Sequence, residues 1–367
     1  MPKSIDILHG DGTTETIVAP STPFGGGGGA PSYSAEVNDI LDETTDAGIR
    51  DAIGIVTYPF TTDIDAGVFV QRTQDLSSIT DQSGYEGDTD LASVYVGSNV
   101  TSIGSNSFDG CISLKTIVIS DSVTSIGNGA FANCAELTSI TIPSGVTTIA
   151  DYLFQHCSKL FTITIPDSVT SIGNYSFQYA SLGSITIPDS VTSIGAGAFG
   201  STQLESITIP DGVSSIENYT FSYCTFLTSA TIPNSVTTIG NRAFYSCYRL
   251  TDLTIPNSVT TIGNNAFYNC DRLTDLTIPN SVETIGNYTF QQCTSLTSIT
   301  IGSGVTSIGE TAFGYSPVTS LNCLATTAPT LAAKGSFGTL MTTEIHVPVG
   351  ATGYGTTYDG LTVIYDL

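Results

Sequence analysis

Apolar residues recur along this chain at one fixed set of positions every 22 or 23 residues, and mostly polar residues fill the spaces between them. The opening valine of the set falls at Val100, Val123, Val146, Val169, Val191, Val213, Val236, Val259, Val282 and Val305. In the second copy the other positions are Ile126, Phe131, Cys134, Leu137, Ile140 and Ile142, and Pro143 closes the unit. A constant period in this range is the signature of a solenoid, in which each unit buries its apolar face against its neighbours.

The stretch Leu137 to Ile142 has the form L-x-x-I-x-I. Side chains alternate across a strand, so this pattern predicts a short strand with Ile140 and Ile142 inward and Ser139 and Thr141 outward. Pro143 has no N–H to give a ladder and ends it. The return limb, Val123 to Phe131, reads as irregular or briefly 3₁₀-helical, with a turn at Gly127 and Asn128. One such unit buries too little to offset the entropy of ordering its backbone, so many copies and two capped ends are required. Leu91, Val94 and Val96 copy the strand positions before the first full unit. Leu321 with Cys323, and then Ile345 and Val347, repeat them after the last.

The repeated wording S-V-T-S-I-G-N-x-A-F-x-x-C-x-x-L-T-S-I-T-I-P resembles the BspA-like class of leucine-rich repeats over roughly residues 91–350. The segments A-T-T-A-P-T-L (325–331) and E-I-H-V-P (344–348) are similar to the cap that follows such repeats in bacterial surface proteins. The resemblance implies a β-rich, right-handed leucine-rich-repeat solenoid of about ten repeats, used for adhesion or recognition and not for catalysis.

Composition narrows the partners. There are 9 Lys+Arg against 33 Asp+Glu, a formal net charge of −24. That field repels nucleic acid and anionic lipid. No apolar run approaches the roughly 18 residues of a membrane span, so membrane insertion is not expected. Seven of the eight cysteines occupy one register, Cys111, Cys134, Cys157, Cys224, Cys247, Cys270 and Cys293. Two repeats are one residue short between Phe177 and Leu182 and between Phe199 and Leu204, and they lack it. This is a ladder inside the coil and not metal-ligand spacing. Parallel side chains facing one core rarely reach the dihedral a disulfide needs, so free buried thiols are expected.

The first ninety residues differ. Met1 to Leu8 lacks the basic start and long apolar core of an export signal. A five-glycine run, Gly25 to Gly29, makes a flexible joint. Apolar positions Val37, Ile40, Leu41, Ile49, Ala52 and Ile53 predict two short amphipathic helices. The string I-L-D-E-T-T-D-A-G-I-R-D-A-I-G (40–54) resembles an element of phage tail-fibre proteins, with Thr45, Gly48 and Asp51 departing from its usual pattern. That resemblance implies a virion-anchoring N-terminus and a trimeric stalk. The acidic cluster from Asp81 to Asp90 lacks EF-hand spacing and reads as a solvated loop. The chain thus divides into an attachment segment (1–30), a helical oligomerising stalk (31–56), a connector (57–90), the solenoid (91–324) and a C-terminal cap (325–367).

Two outward surfaces remain. A file of threonines from Thr141 to Thr300 lines the strand limb and reads as a solvated strand face. The opposite limb carries aromatics: Tyr152, Tyr175, Tyr219 and Tyr288 in one register, His156, Tyr179, Tyr223 and Tyr315 in another. Arg242, Arg249 and Arg272 sit among Phe226, Tyr245, Tyr248 and Tyr268. Tyrosine and arginine are what recognition surfaces favour. The candidate receptor-binding residues are therefore Tyr219, Tyr223, Phe226, Arg242, Tyr245, Tyr248, Arg249, Tyr268, Arg272 and Tyr288. No catalytic grouping is visible around His9, His156 or His346, and no cofactor or metal is expected.

Together these features predict a phage tail fibre, a homotrimer joined to tail or baseplate proteins through residues 1–56. Its solenoid binds a host surface protein or glycan. Two other readings stay open: a bacterial BspA-like surface adhesin, and a structural decoration fibre of capsid or tail without a receptor.

Overall fold

In a computed structural model, residues 4–8, 14–18 and 85–367 are described, apart from 99, 333, 334 and 339. The chain divides into two units, Met1–Asp63 and Ile64–Leu367. In the first, Ser4–Leu8 pairs antiparallel with Thr14–Val18 in a hairpin. The helical stalk and the tail-fibre-like string lie outside the described residues.

The second unit is a parallel β-solenoid. On one limb, L-x-x-I-x-I segments form strands that pair in register from coil to coil, as in Asp275–Ile278 with Ser298–Ile301 and Ser320–Cys323. Alternation holds: Leu276 and Ile278 are buried while Asp275 and Thr277 are exposed. A tight turn follows, in which the amide of Val236 donates to the Pro233 carbonyl oxygen at 3.1 Å.

The return limb departs from the irregular or 3₁₀ expectation. Its Ser-Ile or Thr-Ile dipeptides form a second series of two-residue parallel strands, among them Thr238–Ile239, Thr261–Ile262 and Thr284–Ile285. A third limb follows, of consecutive turns without helix. Its alternate amides bond to the next coil, as Tyr152, Phe154 and His156 do to the carbonyls of Asn174, Ser176 and Gln178 at 2.7–2.8 Å. Two residues per coil, four apart, hold φ near +60°, for example Tyr219 at 62° and Tyr223 at 61°. Each reverses the right-handed sense of the chain, which is why this limb cannot wind into a helix.

Packing along the axis is a column of rings. Phe108, Phe131, Phe154, Phe177, Phe199, Phe221, Phe244, Phe267, Phe290, Phe313 and Phe337 stack with neighbouring centroids 5.2–5.8 Å apart. Tyr85 closes the column at one end at 5.4 Å and Tyr358 at the other at 6.0 Å. Beside it run the cysteines, all free and buried. Six of the seven thiols in register donate to a phenylalanine carbonyl of the coil before, as Cys134 does to Phe108 at 3.2 Å, and Cys111 donates to the Tyr85 carbonyl at 2.9 Å. Ser316 stands in the same register and donates to Phe290 at 3.1 Å.

The polar residues of the repeat are hydrogen-bonding parts as well. Ser235, Ser258 and Ser281 each donate to a valine carbonyl of the coil before at 2.6–2.8 Å. Asn218, Asn241 and Asn264 each accept a backbone amide from the coil after at 2.7–2.8 Å. At the C-terminal end, Glu344–Val347 pairs with Leu361–Tyr365, and Thr357–Tyr358 turns back antiparallel to it. Buried Tyr354 donates to the Ala325 carbonyl at 2.9 Å, which fixes this cap to the last coil.

Candidate functional site: the aromatic face of the turn limb

The third limb carries the outward aromatics because its two left-handed residues per coil turn their side chains away from the phenylalanine column. A left-handed conformation costs an ordinary L-residue about 1–2 kcal/mol, and glycine or asparagine least. Other coils respect that preference, with Asn106, Asn133, Asn265, Asn269 and Gly129 at these two positions. Tyr152, Tyr175, Tyr179, Tyr219, Tyr223, Arg242, Tyr288 and Tyr315 do not.

Seven of the ten residues singled out by sequence meet in two contact groups. Arg242 lies 5.5 Å from the Tyr219 ring centroid and 5.7 Å from that of Tyr245, and donates to the Tyr219 hydroxyl at 3.1 Å. Tyr245 stacks on Tyr268 at 4.9 Å and meets Tyr223 edge-on at 5.2 Å. Burial first, and the neighbouring Tyr245 phenol second, push the Tyr223 hydroxyl above the usual tyrosine range. In the second group Arg249 covers the Phe226 ring at 4.9 Å. Tyr248 is exposed close to Tyr223.

The remaining two are apart. Arg272, exposed one coil beyond Arg249, covers no described ring. Tyr288 is engaged by Glu310, whose hydrogen bond is the main reason its phenol is raised, with burial second.

The sequence shows the other half of this face as aromatic registers, but its residues stand outside the ten candidates. Tyr152 stacks on Tyr175 at 5.4 Å and His156 on Tyr179 at 4.5 Å. Between that pair of columns and the Tyr219–Tyr223 side lies a groove of about 210 Å³. Its floor is Gly200 and Ser201, with Ser222 beside them. The signal was present in the sequence: in the register that runs through Tyr179 and Tyr223, which also lacks a ring at Ser246, Asn269 and Gln292, Ser201 is the one ringless position with a tyrosine on both sides. Among the described residues no three His, Cys, Asp or Glu side chains converge to hold a metal.

A parallel solenoid whose coils repeat an L-x-x-I-x-I-type limb, paired as strands over much of its length, is a leucine-rich-repeat protein. The chain belongs to the BspA type leucine rich repeat region family, whose model matches residues 77–203 and 192–321. A search of curated proteins finds no match. Among solved structures, the pneumococcal vaccine antigen PcpA is similar in fold, 20% identical over 79% of this chain and 83% of its own, with a TM-score of 0.50. A leucine-rich repeat protein from Bacteroides ovatus is 22% identical over 85% of this chain and 98% of its own, with a TM-score of 0.45. A leucine rich cell surface protein from Faecalibacterium prausnitzii is 28% identical over 60% of this chain and 82% of its own, with a TM-score of 0.36. No helix among the described residues is long and apolar enough to cross a membrane.

Proposed function

We propose that this protein is a surface-displayed recognition module of the BspA type, binding its ligand through the aromatic face of the turn limb. The observation that carries this reading is the choice of tyrosine and arginine at left-handed backbone positions. The coil itself prefers glycine or asparagine there, and residues held against backbone preference are a pointer to function. Fold stability accounts for the buried phenylalanine column, whereas Tyr179 and Tyr223 remain about half exposed, at 47% and 50%. Tyr and Arg supply large contact area with few rotors to freeze, which suits a binding surface.

The test uses residues this fold already accepts. Asn265 stands in the register of Arg242, and Gln155, Gln178 and Gln291 stand in that of Tyr245. The double variant Arg242→Asn/Tyr245→Gln keeps the coil and removes the central contacts. Labelled full-length protein is to bind intact bacterial or epithelial cells, and the double variant is to lose at least tenfold in affinity at unchanged melting temperature. Undiminished binding by the folded variant sinks this reading.

The phage-fibre reading rests on the resemblance of residues 40–54 alone. Its own test is sedimentation of the full chain: a trimer favours a fibre, a monomer the surface adhesin.

A further inference from the structure

The aromatic registers of the turn limb behave as outer ladders, repeated at the pitch of the phenylalanine column. One runs His156, Tyr179, Ser201, Tyr223 before passing to Ser246, Asn269 and Gln292, and Ser201 is the ringless position flanked by a tyrosine on each side. The inner column is uninterrupted at this level, with Phe177 to Phe199 at 5.5 Å and Phe199 to Phe221 at 5.7 Å. Tyr179 and Tyr223 are therefore borne by coils two rungs apart, with the space of one ring between them. Its neighbours do not fill that space. Tyr175 leans onto buried Gly197, where any side chain would collide with its ring. Tyr223 turns toward Tyr245. What remains is the groove over Gly200 and Ser201, with a volume near that of seven liquid waters at roughly 30 Å³ each, the scale of a single six-membered ring.

We infer that this groove is a subsite for one neutral pyranose ring of a glycan, seated over Ser201 between Tyr179 and Tyr223 as the missing rung of the ladder. The inference rests on the recognition reading above and names its ligand class. A pyranose has an apolar C–H face to lay on a tyrosine ring and hydroxyls around its edge to be met by polar groups. Those groups are present. The Ser222 hydroxyl is buried and has no hydrogen-bond partner, and a serine hydroxyl has three staggered positions from which to reach one. Gln178 uses its amide oxygen to accept from Gln155 at 2.8 Å, which keeps its NH₂ donors for another partner. An aromatic side chain of a peptide would fill the same slot but leave both unanswered. The groove holds no charged side chain. A chain of net charge −24 also repels anionic sugars, so the ligand is neutral.

The experiment is calorimetric titration of the full chain with gluco-, manno-, galacto- and N-acetylglucosamine hexasaccharides, and with N-acetyltyrosinamide as the aromatic competitor. At least one hexasaccharide is to bind, and Ser201→Tyr is to abolish that binding at unchanged melting temperature. Tyrosine is accepted in this register with φ of 62° at Tyr179 and 61° at Tyr223, against 58° at Ser201. Ser222→Ala, which removes an unpartnered hydroxyl and so spares the fold, is to weaken binding several-fold. Three outcomes overturn the inference: no hexasaccharide binds at millimolar concentration, Ser201→Tyr binds as well as the parent, or only the tyrosine amide binds. In each case cell binding that is still lost in Arg242→Asn/Tyr245→Gln leaves the recognition reading standing, so the two fail separately.

Discussion

The Cys247 thiol donates to the carbonyl oxygen of Phe221, 3.2 Å away in the preceding coil, and the same bond recurs from Cys270 to Phe244 at 3.3 Å. The cysteine register is thus a hydrogen-bond ladder beside the ring column, and burial keeps its thiols protonated.

Alkaline pH will expose that role. Burial is the largest cause raising these thiols, to about 11 for Cys111 and Cys224 and to about 12 for Cys293, from a reference of 9.0. A raised pKa means the folded chain holds protons that the unfolded chain has lost. The stabilisation is therefore complete below pH 9 and drains as pH rises from 9 toward 11–12. Melting temperature is expected to be flat up to pH 9 and to fall steeply beyond it, more in the parent than in a variant with Cys224→Ser and Cys293→Ser. Equal slopes would refute the thiol account. At pH 8 the native protein is expected to resist iodoacetamide, and the urea-unfolded chain to react at all eight cysteines.

Ser316 shows that a hydroxyl can serve on this ladder. Cys270→Ser is expected to cost about 1 kcal/mol. Cys270→Val, which leaves the Phe244 carbonyl without its donor, is expected to cost about 1–3 kcal/mol. Urea midpoints of the two variants decide it, and the order of the two is the prediction.

Gly240 is approached closely by the coil before it, and its backbone angle is ordinary. A Cβ there would stand 2.7 Å from the Asn218 nitrogen and 2.8 Å from the Glu217 carbonyl carbon. Both are backbone and cannot rotate away. Gly240→Ala is expected to destabilise by about 1–3 kcal/mol in chemical denaturation.

Tyr315 tests the backbone argument. It holds φ of 59° and is 64% exposed. Tyr315→Asn is expected to raise stability by about 0.5–1 kcal/mol, since asparagine tolerates this region. Tyr179→Asn makes the same backbone change but gives up the stack on His156, worth about 0.5–1.5 kcal/mol. It is expected to gain nothing. Thermal melts of the two variants, side by side, separate strain from stacking.

How much of this could be read from the chain differs by residue. Val, Ile, Leu, Phe and Cys were legible because each recurs at one register and a buried position tolerates few alternatives. Ser235 and Asn241 recur as regularly, yet their inter-coil bonds were not foreseen. Serine and asparagine suit turns for purely local reasons, so their periodicity hides a longer-range role. The second strand limb was missed because two residues carry too little alternation to show a period. The grouping of Arg242 with Tyr219 and Tyr245 was partly visible as proximity, but Tyr288 looked equivalent and is instead engaged by Glu310.

By itself the sequence determined the architecture: a strict 22–23-residue repeat of apolar positions has one way to bury them, by stacking like on like. The tertiary structure alone decided which outward residues meet. Residues 22 or 23 apart in sequence become neighbours about 5 Å apart across coils. Backbone angles near +60°, which tyrosine, arginine and serine at these positions do not announce, then fix where each side chain points. The same geometry turns Ser201, one small residue between the rungs of Tyr179 and Tyr223, into a groove.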